Sequence, residues 1–271
     1  MKSKRKPKIG LALSGGGARG YAHIGVIKVL EKNNIPIDFI AGSSIGALIG
    51  ALYSFFNNSK KLEETTLSYS WKEFFSLIDP SFKGGLIGGE KLEKFISKTI
   101  KNSTFKELKI PFVAIASDFK TGKPVELSKG KVALAVRASM SFPILFKPVS
   151  YRKKMLWDGG LSIPVPVSTL KKMGADIIIA VNLYNKSSFI YKKPFIKRAY
   201  SIILNSIETL QYHLAKECLK EADIVIEPSI ENLGLIGLDK FLKARGKKII
   251  LNGERKTKKV LFKIKKKIEN F

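Results

Sequence analysis

Apolar residues in this chain fall into two patterns. Some form short unbroken runs bounded by turn residues, and others recur every three or four positions. Runs of four to eight apolar residues read as strands buried on both faces, whereas the longer period reads as amphipathic helix. Strands are therefore expected at 8–13, 36–41, 112–117, 155–157, 176–181 and 223–227, and helices at 21–32, 45–56, 90–100, 131–140 and 167–173. A helical region is expected over 60–78. Ile196, Ala199, Tyr200, Ile203, Ile207, Leu210 and Leu214 mark one long amphipathic helix over 194–220. Residues 237–246 and 254–268 read as two further helices separated by Gly253. Strand alternating with helix predicts an α/β fold, three-layer α/β/α, around a mostly parallel central sheet. With no repeat, linker or shift in composition, one domain is expected. It comprises a basic tail (1–8), a core (9–182) and a C-terminal strand with basic amphipathic helices (183–271).

The 271 residues, 45% hydrophobic and 26% charged, suffice for a sizeable core and exclude a disordered chain. No apolar run reaches the ~20 residues that span a bilayer. The basic start followed by Ile9-Gly10-Leu11-Ala12-Leu13 looks superficially like a leader, but that apolar stretch is short and runs straight into Gly15-Gly16-Gly17. A single cysteine, Cys218, rules out an intramolecular disulfide and fits a reducing, cytoplasmic setting. The net charge of +27 favours polyanionic partners, either nucleic acid or the anionic inner leaflet of a membrane. Residues 240–271 carry thirteen Lys/Arg against two acids. A generally lysine-rich composition would give the same excess.

Gly42-Ser43-Ser44-Ile45-Gly46 sits between an expected strand and an expected helix. Gly-x-Ser-x-Gly at such a turn forces a sharp reversal that lifts the central hydroxyl, Ser44, clear of the sheet beside a helix N-terminus. That is the geometry of a serine nucleophile, which requires oxyanion donors and a base. Ser14-Gly15-Gly16-Gly17-Ala18-Arg19-Gly20 follows the first strand and offers unhindered amides for the oxyanion. The same glycines match the dinucleotide fingerprint Gly-x-Gly-x-x-Gly, but the acid this requires at the end of the second strand is replaced by the serine turn. Asp38 lies at that strand's start instead.

Only two histidines are present. His23 lies inside the first helix, as a packing residue would, and His213 lies mid-helix, where a hydrolase would not present its base. Two histidines and one cysteine also argue against zinc. Among carboxylates, Asp158 in Trp157-Asp158-Gly159-Gly160 ends a strand before a glycine turn, while Asp118 begins a segment that reads as a hairpin at Thr121-Gly122. Residues 79–89, with four glycines around Leu86 and Ile87, read as a loop or an apolar flap.

Taken together, Gly15-Gly16-Gly17-Ala18-Arg19-Gly20, Gly42-Ser43-Ser44-Ile45-Gly46 and Asp158-Gly159-Gly160 resemble the bacterial patatin-like phospholipases. Ala138-Ser139-Met140-Ser141-Phe142-Pro143, the Asp118–Gly122 segment and Gly174-Ala175-Asp176 extend the resemblance over about residues 9–181. It implies a patatin-like α/β fold and a serine lipid acyl hydrolase without cofactor or metal. Ser44 would be the nucleophile, Asp158 its proton acceptor, and the Gly15, Gly16 and Gly17 amides the oxyanion hole. Gly20, Gly42, Gly46, Gly159 and Gly160 would shape the turns, and Arg19 would be a structural or phosphate-facing residue. The partner implied is a lipid or acyl-ester substrate, with no specific nucleic acid. Peripheral contact with an anionic membrane would use the basic helix whose stripe is Val260, Leu261, Ile264 and Ile268, or the aromatic and basic residues 189–195; the alternative is a packed helix with a solvated basic face. Two rival readings are an esterase or thioesterase acting on soluble acyl substrates, and a polyanion-binding protein without catalysis.

Overall fold

A computed structural model describes residues 5–68, 88–185, 199–230 and 243–271. Among the described residues, eight strands form one sheet: β1 (Ile9–Leu13), β2 (Phe39–Ser43), β3 (Phe112–Asp118), β4 (Pro124–Leu127), β5 (Val149–Tyr151), β6 (Lys154–Asp158), β7 (Ile177–Val181) and β8 (Ile224–Ile226). Their order is β5-β6-β3-β2-β1-β7-β8, with β4 also pairing with β3. The central strands β3, β2, β1, β7 and β8 run parallel, while β4, β6 and β5 extend the β3 side through antiparallel pairs.

Strands buried on both faces must divide their side chains between two cores. Ile9, Leu11 and Leu13 of β1 point to one core, as do Ile177, Ile179 and Val181 of β7; Ala12, Ile178 and Ala180 point to the other. The first core is covered by α1 (Tyr21–Lys32), α2 (Ile45–Phe56), α3 (Ser59–Ser68), α4 (Glu90–Thr99), α5 (Val132–Ser139) and α8 (Lys243–Glu269). The second lies under α6 (Val167–Lys172) and α7 (Ala199–Leu219). This is the expected three-layer α/β architecture.

Several details depart from the sequence expectation. β2 begins at Phe39 rather than 36 and runs on through Gly42 and Ser43. Pro36 has no N–H for a ladder, and Asp38 instead ties the strand to β1, its amide donating to Ile9 O and its carboxylate accepting from Ile9 N. The edge strands β4 and β5 carry mixed polar residues, so they lack the apolar run that marks the central strands. Gly253 does not divide two helices, because α8 runs unbroken through it. A side chain at 253 would collide with the Ala22 carbonyl, and one at Gly25 with the Ile250 carbonyl, so these two glycines let α1 and α8 cross with their backbones in contact. The expected helical continuation over 69–78, the glycine segment up to residue 87, residues 189–195, residues 194–198 of the long helix and residues 237–242 lie outside the described residues.

The C-terminal stripe faces inward. Ile264 is buried, Val260, Leu261 and Ile268 pack against the core, and Ile249 and Ile250 are buried with them. That stripe is therefore a packing face, so of its two readings the packed helix with a solvated basic face fits. Among the described residues, no helix is long and apolar enough to cross a membrane.

Candidate active site

The parallel register aligns the carboxyl ends of the central strands, where ligands bind in open α/β sheets. Leu13 pairs with both Gly42 and Val181, so the loops after β1, β2 and β7 leave the sheet side by side. Ser44, between β2 and α2, has φ 53° and ψ −123°, a conformation that L-residues adopt only when the surroundings force it. Those surroundings are glycines: a Cβ at 42 would collide with the Gly46 carbonyl, and one at 46 with the carbonyls of Leu13 and Ser14. Two hydrogen bonds fix the turn from outside. Ser44 N–H donates to Ser139 Oγ at 2.9 Å, and Ser43 Oγ donates to Ile163 O at 2.5 Å.

Asp158 arrives from the antiparallel neighbour. Ser43 pairs with Ile115 of β3, and Ala116, the next residue, pairs with Asp158 of β6. Ser44 and Asp158 thus reach one level on either side of a strand whose residue there is only alanine. Ser44 Oγ donates to Asp158 Oδ2 at 2.6 Å, while Gly160 N–H donates to Oδ1 at 2.8 Å. Asp158 N–H donates to Ser141 O at 3.0 Å, and a side chain at Gly159 would collide with the Ile115 carbonyl. The carboxyl is fully buried, and this desolvation pushes its pKa up to about 7, although hydrogen bonds from Ser44 and Gly160 favour the charged form. Such a group can take and return a proton near neutrality.

The glycine loop adjoins the pair, since a Cβ at 15 would lie 3.3 Å from Ser44 Cβ. Gly16 and Gly17 have φ of 141° and 55°, which suits glycine. Gly20 leaves room for Ile45, next to the serine. One expectation needs correction here. The Gly15 amide already donates to Pro164 O at 3.1 Å, so it is not free to serve an oxyanion. The Gly16 and Gly17 amides carry no such backbone bond among the described residues.

The other candidates have structural surroundings. His23 is fully buried, its Nε2–H donating to Ser14 O at 2.9 Å, and desolvation lowers its pKa to about 4, so it stays neutral. His213 is exposed on α7, its ring against Tyr212. Asp118 accepts from Lys120 and Thr121 amides in the β3–β4 hairpin and pairs with Lys154, which holds its carboxyl below the usual range. Asp176, of the Gly174-Ala175-Asp176 motif, accepts from Arg5 and from Lys8 N–H beside β1. Arg19 does not face outward towards a phosphate. It is 0% exposed and pairs with Glu208, so of its two readings the structural one fits. No cluster of metal-ligating side chains occurs among the described residues.

Three residues that sequence reasoning does not single out, Ser139, Tyr184 and Gln211, lie around the pair, and a fourth, Glu208, pairs with Arg19. In the sequence Ser139 stands out only as part of Ala138-Ser139-Met140-Ser141-Phe142-Pro143. Tyr184 Oη, Gln211 Nε2 and Asp158 Oδ1 all lie within 3.0 Å of the point where a Cβ at Gly160 would sit. Glu208 and Gln211 come from α7, and Gln211, 2% exposed, has neither amide atom hydrogen-bonded among the described residues. No local pattern marks these positions, because only the tertiary fold brings them to the site.

The site is thus a buried serine–carboxylate contact at the carboxyl end of a mostly parallel α/β sheet. The family model described as patatin-like phospholipase matches residues 11–171, and the chain belongs to that family. Among curated relatives, an uncharacterized NTE family protein of Mycobacterium tuberculosis is 34% identical over 187 residues, covering 68% of this chain and 51% of its own length. A lysophospholipase of Aspergillus fumigatus is 36% identical over 182 residues, covering 65% of this chain and 12% of its own. The chain thus spans about half the length of the mycobacterial relative and far less of the fungal one. Of solved structures, VipD from Legionella pneumophila superposes with a TM-score of 0.52 at 14% identity, over 96% of this chain and 68% of that one. The type III effector ExoU of Pseudomonas aeruginosa gives 0.53 at 13% identity, over 97% and 54%. These likenesses concern the fold.

Proposed function

We propose that this chain is a serine lipid acyl hydrolase that cleaves fatty-acyl esters of phospholipids or lysophospholipids through a Ser44–Asp158 dyad. The observation that carries the reading is the 2.6 Å contact from Ser44 Oγ to the buried Asp158 carboxylate. In the first half-reaction, Asp158 Oδ2 takes the Ser44 proton as Oγ attacks the ester carbonyl. The Gly16 and Gly17 amides stabilise the oxyanion; losing one such donor typically costs about 3–4 kcal/mol. The acyl C–O bond then breaks, Asp158 returns the proton to the departing alkoxide, and the fatty acyl group remains on Ser44. In the second half-reaction, water attacks the acyl-enzyme, its proton passes to Asp158 and on to Ser44 Oγ, and the fatty acid leaves. Desolvation supports the base role, since a solvated aspartate with a pKa near 3.9 is a feeble base.

Family membership and the lysophospholipase name of the fungal relative support a lipid ester as substrate. The test is product analysis by mass spectrometry on a panel of diacyl, lysophospho- and neutral lipids, with Ser44→Ala and Asp158→Asn as controls. Release of fatty acid by wild type and by neither variant is expected. Full activity in either variant would remove the dyad. Turnover confined to soluble acyl esters or thioesters would move the substrate class and leave the dyad standing.

A further inference from the structure

The family model ends at residue 171, yet α7 (Ala199–Leu219) sends two polar side chains into the interior behind the dyad. Glu208 and Gln211 are three residues apart, so they share a helix face, and each is only 2% exposed. Glu208 Oε1 lies 2.6 Å from Nη1 of Arg19, whose side chain is 0% exposed. Arg19 Nε–H donates to Gly16 O at 3.0 Å, and its guanidinium sits 5.6 Å from the centre of the Tyr184 ring. Tyr184 in turn presses its hydroxyl against Gly15 and Gly160. A charge in the interior persists only when paired, and Glu208 is the acid that pairs this one.

We propose that Glu208 is a positioning residue for ester hydrolysis: through Arg19 it fixes the Gly16 carbonyl, and so holds the glycine cradle against Ser44. The inference rests on the hydrolase reading above. The peptide that follows Gly16 carries the Gly17 amide, so a bond to the Gly16 carbonyl sets where that amide points. Gly16, at φ 141°, has no side chain of its own to limit its rotation. Glu208 keeps the guanidinium in place, and the guanidinium holds the Gly16 carbonyl beside the Arg19 backbone N–H, which donates to the same oxygen at 3.2 Å. Glu208 touches no reacting atom.

The experiment is a double-mutant cycle of Arg19→Met, Glu208→Met and the pair together, with thermal melts, kcat and KM for ester hydrolysis. Removing both charges for apolar groups of similar volume is often neutral for stability, whereas removing one leaves the other buried without this partner. The double variant therefore carries the test even where a single variant fails to fold. Expected is a folded double variant with kcat down about tenfold or more and KM within about threefold; a misplaced oxyanion donor costs less than the roughly hundredfold or more of a missing one. Where the singles fold, Glu208→Met should lower kcat in wild type and cost nothing further beside Arg19→Met. A folded double variant at wild-type kcat overturns the inference, as does a Glu208 effect that persists undiminished without Arg19. Those outcomes leave the dyad intact. A wild-type chain that hydrolyses no ester removes the catalytic reading itself, and this inference with it.

Discussion

Asp158 makes a thermodynamic prediction that does not depend on knowing the substrate. Its carboxyl has a folded-state pKa of about 7 against an ordinary value near 3.8, with burial as the leading cause. Between those two values the folded chain binds the proton that the unfolded chain has released, so the Asp158 contribution to stability declines as pH rises from about 4 to about 7. Each pKa unit is worth roughly 1.4 kcal/mol. Asparagine at 158 cannot ionise and should escape the decline, so the melting temperature of Asp158→Asn relative to wild type should be higher at pH 8 than at pH 5. An unchanged or reversed difference would show that the carboxyl is not desolvated. Activity should move the opposite way, because the base works only when ionised: kcat/KM should rise through about pH 7 and level off above it. His23 pulls the wild-type stability curve the other way over part of this window, but it cancels in the comparison with Asp158→Asn because both chains carry it. Its pKa of about 4 keeps it neutral over that range, and the stability it gains on folding is lost only as pH falls from about 6.5 towards 4. The sequence made Ser44 and Asp158 legible because each sits in a tight turn with its own local glycine signature. It left Tyr184, Glu208 and Gln211 unmarked, and it gave no sign that Pro164 would occupy the Gly15 amide.

Elements that pack by burying both faces advertise themselves, which is why the central strands and the helices α1 and α2 are legible from apolar pattern alone. Elements with one wet face, such as β4 and β5, are not. The clearest misreading, Gly253 as a break, comes from treating glycine as a local signal when here it answers a neighbour. In an exposed helix, Gly→Ala gains about 1 kcal/mol of propensity. At 253 the new methyl meets the Ala22 carbonyl, which is backbone of α1 and cannot swing aside. Overpacking of that kind costs about 1–3 kcal/mol, so the clash wins and Gly253→Ala should be destabilising. Gly246, in the first turn of the same helix, supplies the contrast, because its added methyl would meet side-chain carbons of Leu67 and Tyr21 at 3.1–3.5 Å, and those can adjust. Denaturant melts should place Gly246→Ala at least about 1 kcal/mol above Gly253→Ala; equal stabilities would contradict the close helix crossing.

At the scale of the whole molecule, the excess of positive charge and the inward-facing stripe of α8 together decide how the chain would meet a membrane. Ile249, Ile250 and Ile264 are committed to the core, and Lys28 of α1 pairs with Glu254 at 2.8 Å across the same interface. Insertion of this stripe into a bilayer would require α8 to leave the fold. What α8 offers outward is a lysine-rich face with Phe262, 76% exposed, set among it. One aromatic ring is a weak anchor beside a net charge of +27, so attraction to a bilayer should be electrostatic and governed by screening. The screening length falls from about 10 Å at 0.1 M salt to about 3 Å at 1 M. Co-sedimentation should therefore capture the protein on vesicles containing anionic phospholipid at low salt and release it at high salt, with little capture on zwitterionic vesicles. Phe262→Ala should change this little. Salt-resistant binding that Phe262→Ala abolishes would instead mean that apolar insertion anchors the chain, and failure to bind anionic vesicles at low salt would reduce the lysines to a solvated surface with no lipid partner.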